Sequence, residues 1–491
     1  MKIALVFPNY FRQNFFIIPG SFHLPLGLGM IAAVLRDAGH ELKVFDATAE
    51  KLNIKLLKNK IARFNPDILG ISANIAFKQK AAFTARYLKR KFSSIPLIMG
   101  GPYPTTEFEE ILKKRIADIV IIGEGEVTIK YLIETIQNHK NLFDVRGIAY
   151  INHETKNIIK TEPRSLIEDL DSLPFPAWDL FPPPSKYFFA TRGSKFYPLM
   201  TSRGCPHSCI NCTKLIHGYK IRKRSVSNII DEIKYLHDEF KMNEIFIIDD
   251  NFNHDVERAE KICEEIAKLD FKIHIKFTNG LRADKITPTL AWKLKNAGTY
   301  EIALGIESGN QNILNKIGKH LKLKEIKKAI KILKKINIIV TGFLMVGVPF
   351  ENIHSLIDTK DFVLHNDIDV ASFFKVVPFK GTPLYDIILK KGKFIEYDKE
   401  ETNFFSFQPP MFELADLPSE LVELAFKDLY LSFFLRKNTI LFLLKNINRN
   451  NWRWYFNFGL QTLQNAFKRS SRDKGSLKEI IIKKIRKNRE I

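Results

Sequence analysis

The sequence predicts an α/β protein made of two successive strand–helix domains followed by a smaller helical region. Short apolar runs alternate with amphipathic stretches in two separate parts of the chain. A proline-rich segment lies between these parts, and the alternation stops after about residue 390. The chain has 491 residues, which is enough for two or three domains.

Residues 1–145 are predicted to form a doubly wound, Rossmann-like sheet of parallel strands. The candidate strands are Ile3–Phe7, Leu42–Phe45, Ile68–Ser72, Leu97–Met99 and Ile119–Ile122. Ligands of such sheets bind at the carboxyl ends of the strands. Gly100 and Gly101 follow the fourth strand, and Gly123 and Gly125 follow the fifth. Because glycine lets a ligand approach the backbone closely, a binding site is expected at this edge.

Residues 146–195 are predicted to be a linker, because six prolines between Pro163 and Pro184 disfavour a long helix or an inner strand. Residues 196–390 begin a second alternation of strands and helices, which predicts a partial (β/α)6 barrel or, alternatively, a second doubly wound sheet. The six candidate strands are Tyr197–Thr201, Glu244–Asp249, Ile273–Thr278, Glu301–Gly305, Ile338–Leu344 and Ala371–Val377.

Residues 391–491 are predicted to form a small helical C-terminal domain with a basic tail. Leu421–Leu444 is apolar with helical periodicity, and the pattern is broken at Arg436 and Lys437. The tail, Lys468–Ile491, carries ten Lys or Arg against three Asp or Glu. Such a tail suits RNA, anionic lipid or simply a solvated helix.

The composition restricts the location of the protein. Only four cysteines occur in 491 residues, which argues against a secreted disulfide scaffold and for a reducing compartment. No signal peptide is recognised after the first strand, so a cytoplasmic protein is expected. The uncharged stretch Phe15–Leu35 contains prolines and glycines, which favours a loop and a buried helix over a membrane span.

Three cysteines follow the first strand of the second domain. The segment TSRGCPHSCINC, residues 201–212, spaces Cys205, Cys209 and Cys212 as C-x3-C-x2-C. Thiolates are the usual ligands of iron–sulfur clusters, which commonly take four of them. Three ligands would leave one iron open, and an open position distinguishes catalytic metal centres from structural ones.

Two alternatives concern further ligands. Cys263 lies on the apolar face of a predicted helix, so we expect a buried structural cysteine rather than a fourth ligand. A zinc site completed by His207 or His217 is the other alternative. The spacing of three and then two residues between cysteines fits zinc poorly.

The cysteine motif resembles that of the radical S-adenosylmethionine superfamily. The resemblance implies a 4Fe-4S cluster on Cys205, Cys209 and Cys212, whose open iron binds S-adenosylmethionine. It also implies reductive cleavage of S-adenosylmethionine to methionine and a 5′-deoxyadenosyl radical, with the hard chemistry supplied by the cofactors. An external one-electron reductant of the flavodoxin or ferredoxin type is then expected.

Other segments resemble S-adenosylmethionine contacts of the same superfamily. FIIDDNF, residues 246–252, points to Asp249 and Asp250, and GIESG, residues 305–309, points to Glu307 at the barrel mouth. FKGTPLY, residues 379–385, resembles the segment near the adenine. Lesser candidates for pairing with the bound carboxylate are Arg203 and Arg224. Asn211 replaces the aromatic residue often found before the last cysteine, which removes one expected adenine contact.

The first domain resembles the cobalamin-binding domain that precedes many such barrels. The matching segments are PLGLGMIAAVLRDAGHELKVFDA (25–47), DILGIS (67–72), MGGPYPT (99–105) and GEGE (123–126). The resemblance places cobalamin beside Ser72, Gly100, Gly101 and Gly125. The family's D-x-H-x-x-G motif is absent around His23, which makes His23 a poor lower ligand for cobalt. A doubly wound domain with another nucleotide or no ligand is the alternative.

The expected function is that of a cobalamin-dependent radical S-adenosylmethionine enzyme that methylates an unactivated carbon of a small-molecule or lipid substrate. Cyclisation or rearrangement without methyl transfer is an alternative. A redox- or cobalamin-responsive nucleic-acid-binding protein is another, although only charge and no RNA-reading module supports it. The apolar segment near residues 425–444, with its flanking Lys and Arg, suits a membrane surface or core packing against the barrel.

Overall fold

The computed structural model describes residues 1–10, 24–152, 154–187, 190–395, 409–447, 451–452 and 456. Within these residues, no helix combines the length and the apolar character needed to cross a bilayer. The predicted basic tail, His23 and most of the aromatic segment after residue 447 lie outside the described residues.

The first domain is built on a seven-stranded sheet with the order β2-β1-β3-β4-β5-β6-β7. The first five strands are parallel to one another. Because β2 and β3 lie on opposite sides of β1, the strand order reverses there, and this switch point is where doubly wound sheets bind ligands. The strands are β1 (Lys2–Phe7), β2 (Glu41–Asp46), β3 (Ile68–Ser72), β4 (Leu97–Gly100), β5 (Ile119–Ile121), β6 (Ile148–Ile151) and β7 (Ile158–Lys160).

Helices cover both faces of this sheet, and each face packs a separate apolar core. The helices are α1 (Leu26–Asp37), α2 (Ile54–Phe64), α3 (Lys78–Lys91), α4 (Pro102–Lys113) and α5 (Glu126–Gln137). Pro102 opens α4 directly after Gly101, a position where proline costs no hydrogen bond because the first amides of a helix lack intrahelical partners.

The segment predicted as a linker contains two strands. β6 and β7 pair antiparallel and extend the first sheet beyond β5. The prediction was therefore wrong for residues 148–160, because the prolines that supported it begin only at Pro163. Further along, the Tyr187 hydroxyl donates to the Asp46 carboxylate at 2.8 Å, which fastens the proline-rich segment to the end of β2.

The second domain contains a six-stranded parallel sheet with the strictly sequential order β15-β14-β13-β12-β11-β8. Sequential parallel order gives the predicted partial (β/α)6 barrel and excludes the doubly wound alternative, since no strand reverses the winding direction. Its strands are β8 (Phe196–Leu199), β11 (Glu244–Ile247), β12 (His274–Leu281), β13 (Thr299–Glu307), β14 (Ile339–Val346) and β15 (Val370–Lys375).

Helices follow the barrel strands, and a short antiparallel pair, β9 (Ser202–Arg203) and β10 (Arg222–Lys223), flanks the cysteine segment. The helices are α6 (Val226–Phe240), α7 (Val256–Ala267), α8 (Pro288–Asn296), α9 (Gln311–Lys316), α10 (Leu323–Lys335), α11 (Ile353–His365) and α12 (Pro383–Lys391).

The described C-terminal region contains the antiparallel pair β16 (Gly392–Phe394) and β17 (Phe412–Leu414), then helices α13 (Ser419–Phe434) and α14 (Lys437–Lys445). α13 packs against the barrel: the Phe433 ring lies 6.0 Å from the Phe373 ring, and Lys360 donates to Asp428 at 2.6 Å. Core packing therefore accounts for the apolar residues of α13, whereas α14 leaves apolar side chains exposed.

Candidate active site between the two domains

The cysteine segment is a loop, residues 204–221, that leaves the barrel after β9 and returns in β10. Its three cysteines are free thiols; Cys205 and Cys209 are half-buried and Cys212 is exposed. Cys209 lies 3.6 Å from the carbonyl oxygen of Gly318, and burial raises the pKa of its thiol. The loop thus presents three free thiols.

Asp249 anchors the start of this loop. Its carboxylate accepts hydrogen bonds from the Thr201 amide, the Thr201 hydroxyl and the Ser202 hydroxyl, each at 2.6 Å. Burial raises the pKa of Asp249, which is only 3% exposed. Both carboxylate oxygens are thus engaged by the strand that leads into the loop, and the contact with S-adenosylmethionine stays a prediction.

Asp250 contacts residues of the cysteine loop itself and, unlike Asp249, lines an open cleft. Its carboxylate accepts from the Gly204 amide at 2.9 Å and meets His217 Nδ1 at 2.8 Å. Burial alone would raise the pKa of Asp250, but the His217 hydrogen bond and the His217 charge outweigh it and the pKa is lowered. Asp250 is therefore placed to interact with a bound ligand as a carboxylate.

The middle of the cysteine loop is held by two barrel segments. The Ile210 amide donates to Ile317 at 3.0 Å, and the Leu384 amide donates to Ile210 at 3.0 Å. Gly318 has φ +69°, and a Cβ there would lie 2.8 Å from the Ser208 carbonyl oxygen. Leu384 belongs to the predicted adenine segment, so that segment contacts the cysteine loop directly.

Glu307 ends β13 at a bulge, with φ +65°. Its Oε1 accepts from Lys319 Nζ at 2.7 Å. Burial alone would lower the pKa of Lys319, but the charges of Glu307 and Cys209 outweigh it and the pKa is raised. Lys319, which the sequence patterns did not single out, therefore places a positive charge beside the cysteine loop.

The zinc alternative finds no support in the described part of the chain, where no three His, Cys, Asp or Glu side chains lie close enough to share one ion. His217 is bonded to Asp250, and burial lowers the pKa of His207 to about 4. A cluster places each thiolate on a different iron, so its ligands stand farther apart than those of a single ion. Cys263 is 2% exposed inside α7, and burial raises its pKa to about 12.

A cleft of about 660 Å³ separates the two domains. All four glycine and serine positions predicted for the first domain line one wall: Ser72, Gly100, Gly101 and Gly125. Residues of the cysteine loop and its anchor line the opposite wall: Cys212, Thr213, Lys214, Ile216, His217, Gly218 and Asp250. The structure therefore brings the predicted first-domain residues to one cavity with Cys212 and Asp250, whereas Cys205, Cys209 and Glu307 are not among its lining residues.

Gly101 shapes the first-domain wall of this cleft. Its φ is +107°, and a Cβ would lie 2.8 Å from the Ala73 carbonyl oxygen. We expect Gly101→Ala to lower the free energy of unfolding by about 1–3 kcal/mol, because only glycine adopts this conformation without strain. Gly27→Ala is the control: it lies in α1 with nothing within 4 Å of its Cβ, and should not destabilise. Equal urea midpoints for the two variants would contradict the prediction.

Buried ion pairs join the two domains beside the cleft. Arg203 donates to Glu124 at 3.0 Å and to Glu126 at 2.6 Å. Arg222 binds both oxygens of Glu124, at 2.8 and 2.9 Å. All four side chains are at most 8% exposed. The GEGE segment was predicted for its glycines, but its two glutamates connect β9 and β10 to the first domain.

Two arginines suggested for a bound carboxylate are thus already engaged. Arg203 belongs to the ion pairs above, and Arg224 pairs with Glu232 and donates to the Met200 carbonyl at 3.1 Å. Both guanidinium groups therefore bind protein acceptors in this structure, and their pairing with a bound carboxylate stays a prediction.

The first domain has glycine-rich strand ends and the second has three free thiols, and both domains line a common cleft. This arrangement is typical of a two-domain enzyme that uses cofactors. The radical SAM superfamily model matches residues 199–363, and the B12 binding domain model matches residues 18–133. An uncharacterized methyltransferase of Pyrococcus horikoshii is 30% identical over 466 residues, covering 93% of this chain and 99% of the relative. The chain belongs to the family of cobalamin-binding, methyltransferase-like radical S-adenosylmethionine enzymes.

Two further proteins resemble the chain. The cytidylyl-2-hydroxyethylphosphonate methyltransferase of Streptomyces wedmorensis is 29% identical over 422 residues, covering 75% of this chain and 78% of the relative. The solved structure of the cobalamin-dependent S-adenosylmethionine radical enzyme OxsB, with aqua-cobalamin and S-adenosylmethionine bound, has a TM-score of 0.72 at 18% identity. That match covers 99% of this chain and 75% of OxsB and shows a shared fold.

The predicted fold class, enzyme class and cofactors are confirmed by these matches. The cofactors are a 4Fe-4S cluster, S-adenosylmethionine and cobalamin, and the enzyme acts on a small molecule with electrons from an external reductant. The residues fit these groups: three free thiols suit iron, and at Gly101 any larger side chain would strain the backbone that forms the cleft wall.

Proposed function

We propose that this enzyme transfers a methyl group to an unactivated carbon of its substrate within the cleft between the two domains. A single observation carries the proposal: Cys212 and Asp250 line the same cavity as Gly100 and Gly101. The shared cleft supports direct transfer, because the group that creates a substrate radical and the group that donates a methyl would lie in one cavity.

The residues proposed to hold the cofactors lie in the cysteine loop and at the strand ends of the first domain. Cys205, Cys209 and Cys212 would bind the cluster, and Ser72, Gly100, Gly101 and Gly125 would contact cobalamin. When bound, these cofactors supply one-electron cleavage of S-adenosylmethionine and a transferable methyl group.

Three carboxylates of the barrel are proposed to have different roles. Asp250 would hold the amino or ribose groups of S-adenosylmethionine, since it faces the cleft. Glu307 would contact S-adenosylmethionine at the barrel mouth, where its carboxylate is paired with Lys319. Asp249 would position the loop rather than touch a ligand.

The cleft is suited to radical chemistry because its lining is predominantly apolar. Leu5, Phe7, Ile98, Met200 and Ile248 contribute to its walls. Apolar walls exclude water and limit side reactions of a carbon radical. The proposed reductant is a protein of the flavodoxin or ferredoxin type, and the proposed substrate is a small molecule or a lipid.

Anaerobic reconstitution with iron, sulfide and hydroxocobalamin tests the proposal. We expect about four irons and one cobalt per chain, and formation of 5′-deoxyadenosine and S-adenosylhomocysteine with dithionite and S-adenosylmethionine. 5′-Deoxyadenosine alone would indicate cyclisation or rearrangement. Neither product, with the cluster intact by absorbance, would overturn the proposal and favour a binding protein.

We further propose peripheral contact between the C-terminal region and an anionic membrane. Leu441 and Leu444 on α14 are 53% and 62% exposed, and the chain continues into a tail with ten Lys or Arg against three Asp or Glu. Exposed apolar side chains next to basic residues favour a lipid surface.

We expect the protein to sediment with anionic liposomes at low salt and to be released at high salt, because salt screens the attraction. Leu441→Ser/Leu444→Ser and deletion of residues 468–491 should each weaken sedimentation. Leu56→Ser on α2, 50% exposed in the first domain, is the control. Full-length protein that stays in the supernatant at low salt would contradict the proposal.

A further inference from the structure

Asn251 follows Asp250 and points its side chain at the cysteine loop. Its Nδ2 lies 3.8 Å from the Cys205 sulfur, within hydrogen-bonding distance of a sulfur acceptor. The residue is 3% exposed. A thiolate sulfur accepts hydrogen bonds and donates none, so the amide must present its N–H side to Cys205.

The other end of the amide is unusual. Among the described residues, Asn251 Oδ1 is buried without a hydrogen-bond partner. Burying an unpaired acceptor is unfavourable for folding, so such atoms in native structures call for an explanation. The hydrogen bond to the Cys205 sulfur offsets part of this cost.

Neighbouring residues hold Asn251 in place. Asn253 makes two hydrogen bonds with the backbone of Arg282, at 2.9 and 3.0 Å. The Phe252 ring packs 4.9 Å from the Phe277 ring. The segment is thus fixed on the end of β12, and the Asn251 amide is preorganised at Cys205 without moving to make the contact.

Asp249, Asp250 and Asn251 bind successive parts of one strand and loop. Asp249 binds Thr201 and Ser202, Asp250 binds Gly204, and Asn251 contacts Cys205. The first two contacts reach backbone or hydroxyl groups, whereas the third reaches a sulfur. Asn251 is therefore the member of this series that can act on the electronic state of a bound cluster.

We propose that Asn251 is a positioning residue that raises the reduction potential of the cluster by donating a hydrogen bond to the Cys205 sulfur; this rests on the proposed ligation by Cys205. Reduction adds one electron from the external reductant and breaks no bond. The added negative charge spreads onto the sulfurs, so an N–H donor stabilises the reduced state more than the oxidised state.

The test is the midpoint potential of the reconstituted enzyme, measured by electron paramagnetic resonance at defined solution potentials. In Asn251→Leu, we expect the ratio of reduced to oxidised cluster at a fixed potential to fall about tenfold, which equals about 59 mV for one electron. Asn251→Asp keeps the shape but replaces the donor by an acceptor, so its ratio should fall further. Iron and sulfide content should remain unchanged in both.

Asn138→Leu, which changes an exposed asparagine after α5, is the matched control and should leave the potential unaltered. Unchanged potentials in iron-loaded Asn251 variants would overturn the proposal. Failure of both variants to assemble the cluster would also overturn it, because Asn251 would then serve assembly rather than the potential. Cys205→Ala tests the ligation separately, and we expect this variant to lose iron. Iron retained in Cys205→Ala would refute ligation by Cys205, on which the role of the amide rests.

Discussion

Cys209→Ala is expected to abolish iron binding and to reduce 5′-deoxyadenosine formation to background, while cobalt binding is retained. The Cys209 sulfur lies 3.6 Å from the Gly318 carbonyl oxygen, on a loop segment fixed by the Ile210 amide. The two remaining thiolates are too few to bind a cluster that requires at least three protein ligands. Cobalt is retained because the proposed cobalamin contacts belong to the first domain.

The measurement is metal counting after anaerobic reconstitution, together with chromatography of the reaction products. Cys263→Ser is the matched control, because it changes a cysteine buried in α7 and should keep about four irons. Full iron content in the Cys209 variant would show that the proposed ligand set is wrong. Loss of iron in the Cys263 variant with a folded chain would add a fourth ligand.

Glu124→Ala is expected to lower the free energy of unfolding by about 3–5 kcal/mol, the usual cost of removing one partner from a buried ion pair. Glu124 binds Arg203, Arg222 and the Ile167 amide, and it is buried with both arginines. Without it, two guanidinium groups remain in the domain interface with too few acceptors. Urea unfolding followed by circular dichroism measures the loss.

The control replaces the partner of an exposed pair. Glu168 and Lys220 are 64% and 68% exposed, and Glu168→Ala should change stability little because water screens such pairs. Similar losses in the two variants would show that the buried pairs do not hold the interface. Glu124→Gln keeps the shape and should fall between wild type and Glu124→Ala.

Acid should have a related effect. Burial alone would raise the pKa of Glu124, but the hydrogen bond from Arg222 and the charge of Arg203 outweigh it and the pKa is lowered. A lowered pKa in the folded state means that the stabilisation is present above the pKa of an ordinary glutamate and is lost as the pH falls through the lowered value. Glu124→Gln should show a smaller loss of stability over the same acidic range.

The sequence predicted the elements with strong local signals. Ile68–Ser72 forms a strand with the predicted bounds, because its apolar residues match the burial that the fold provides. The β6–β7 pair was missed, since its strands are short and the nearby prolines dominated the interpretation. The rest of the predicted linker, after residue 160, remains a prediction. The other predicted domain limits also remain predictions.

The site was predictable where chemistry depends on spacing in the chain. The three cysteines are close in sequence, so their pattern alone indicated a cluster. The roles of Asp249, Glu124 and Asn251 depend on partners 46 to 98 residues away, and no local pattern reports such pairs. An informative signal was present in GEGE, where two acidic residues flank a glycine at a strand end, but their arginine partners lie in the other domain.

The ion pairs between the domains also limit whether either domain can be produced without the other. A barrel produced without residues 1–145 would display Arg203 and Arg222 without Glu124 and Glu126, at the two strands that flank the cysteine loop. The domains are therefore not interchangeable modules. Recombination with another first domain would preserve the loop only if that domain carried acidic residues at the positions of Glu124 and Glu126.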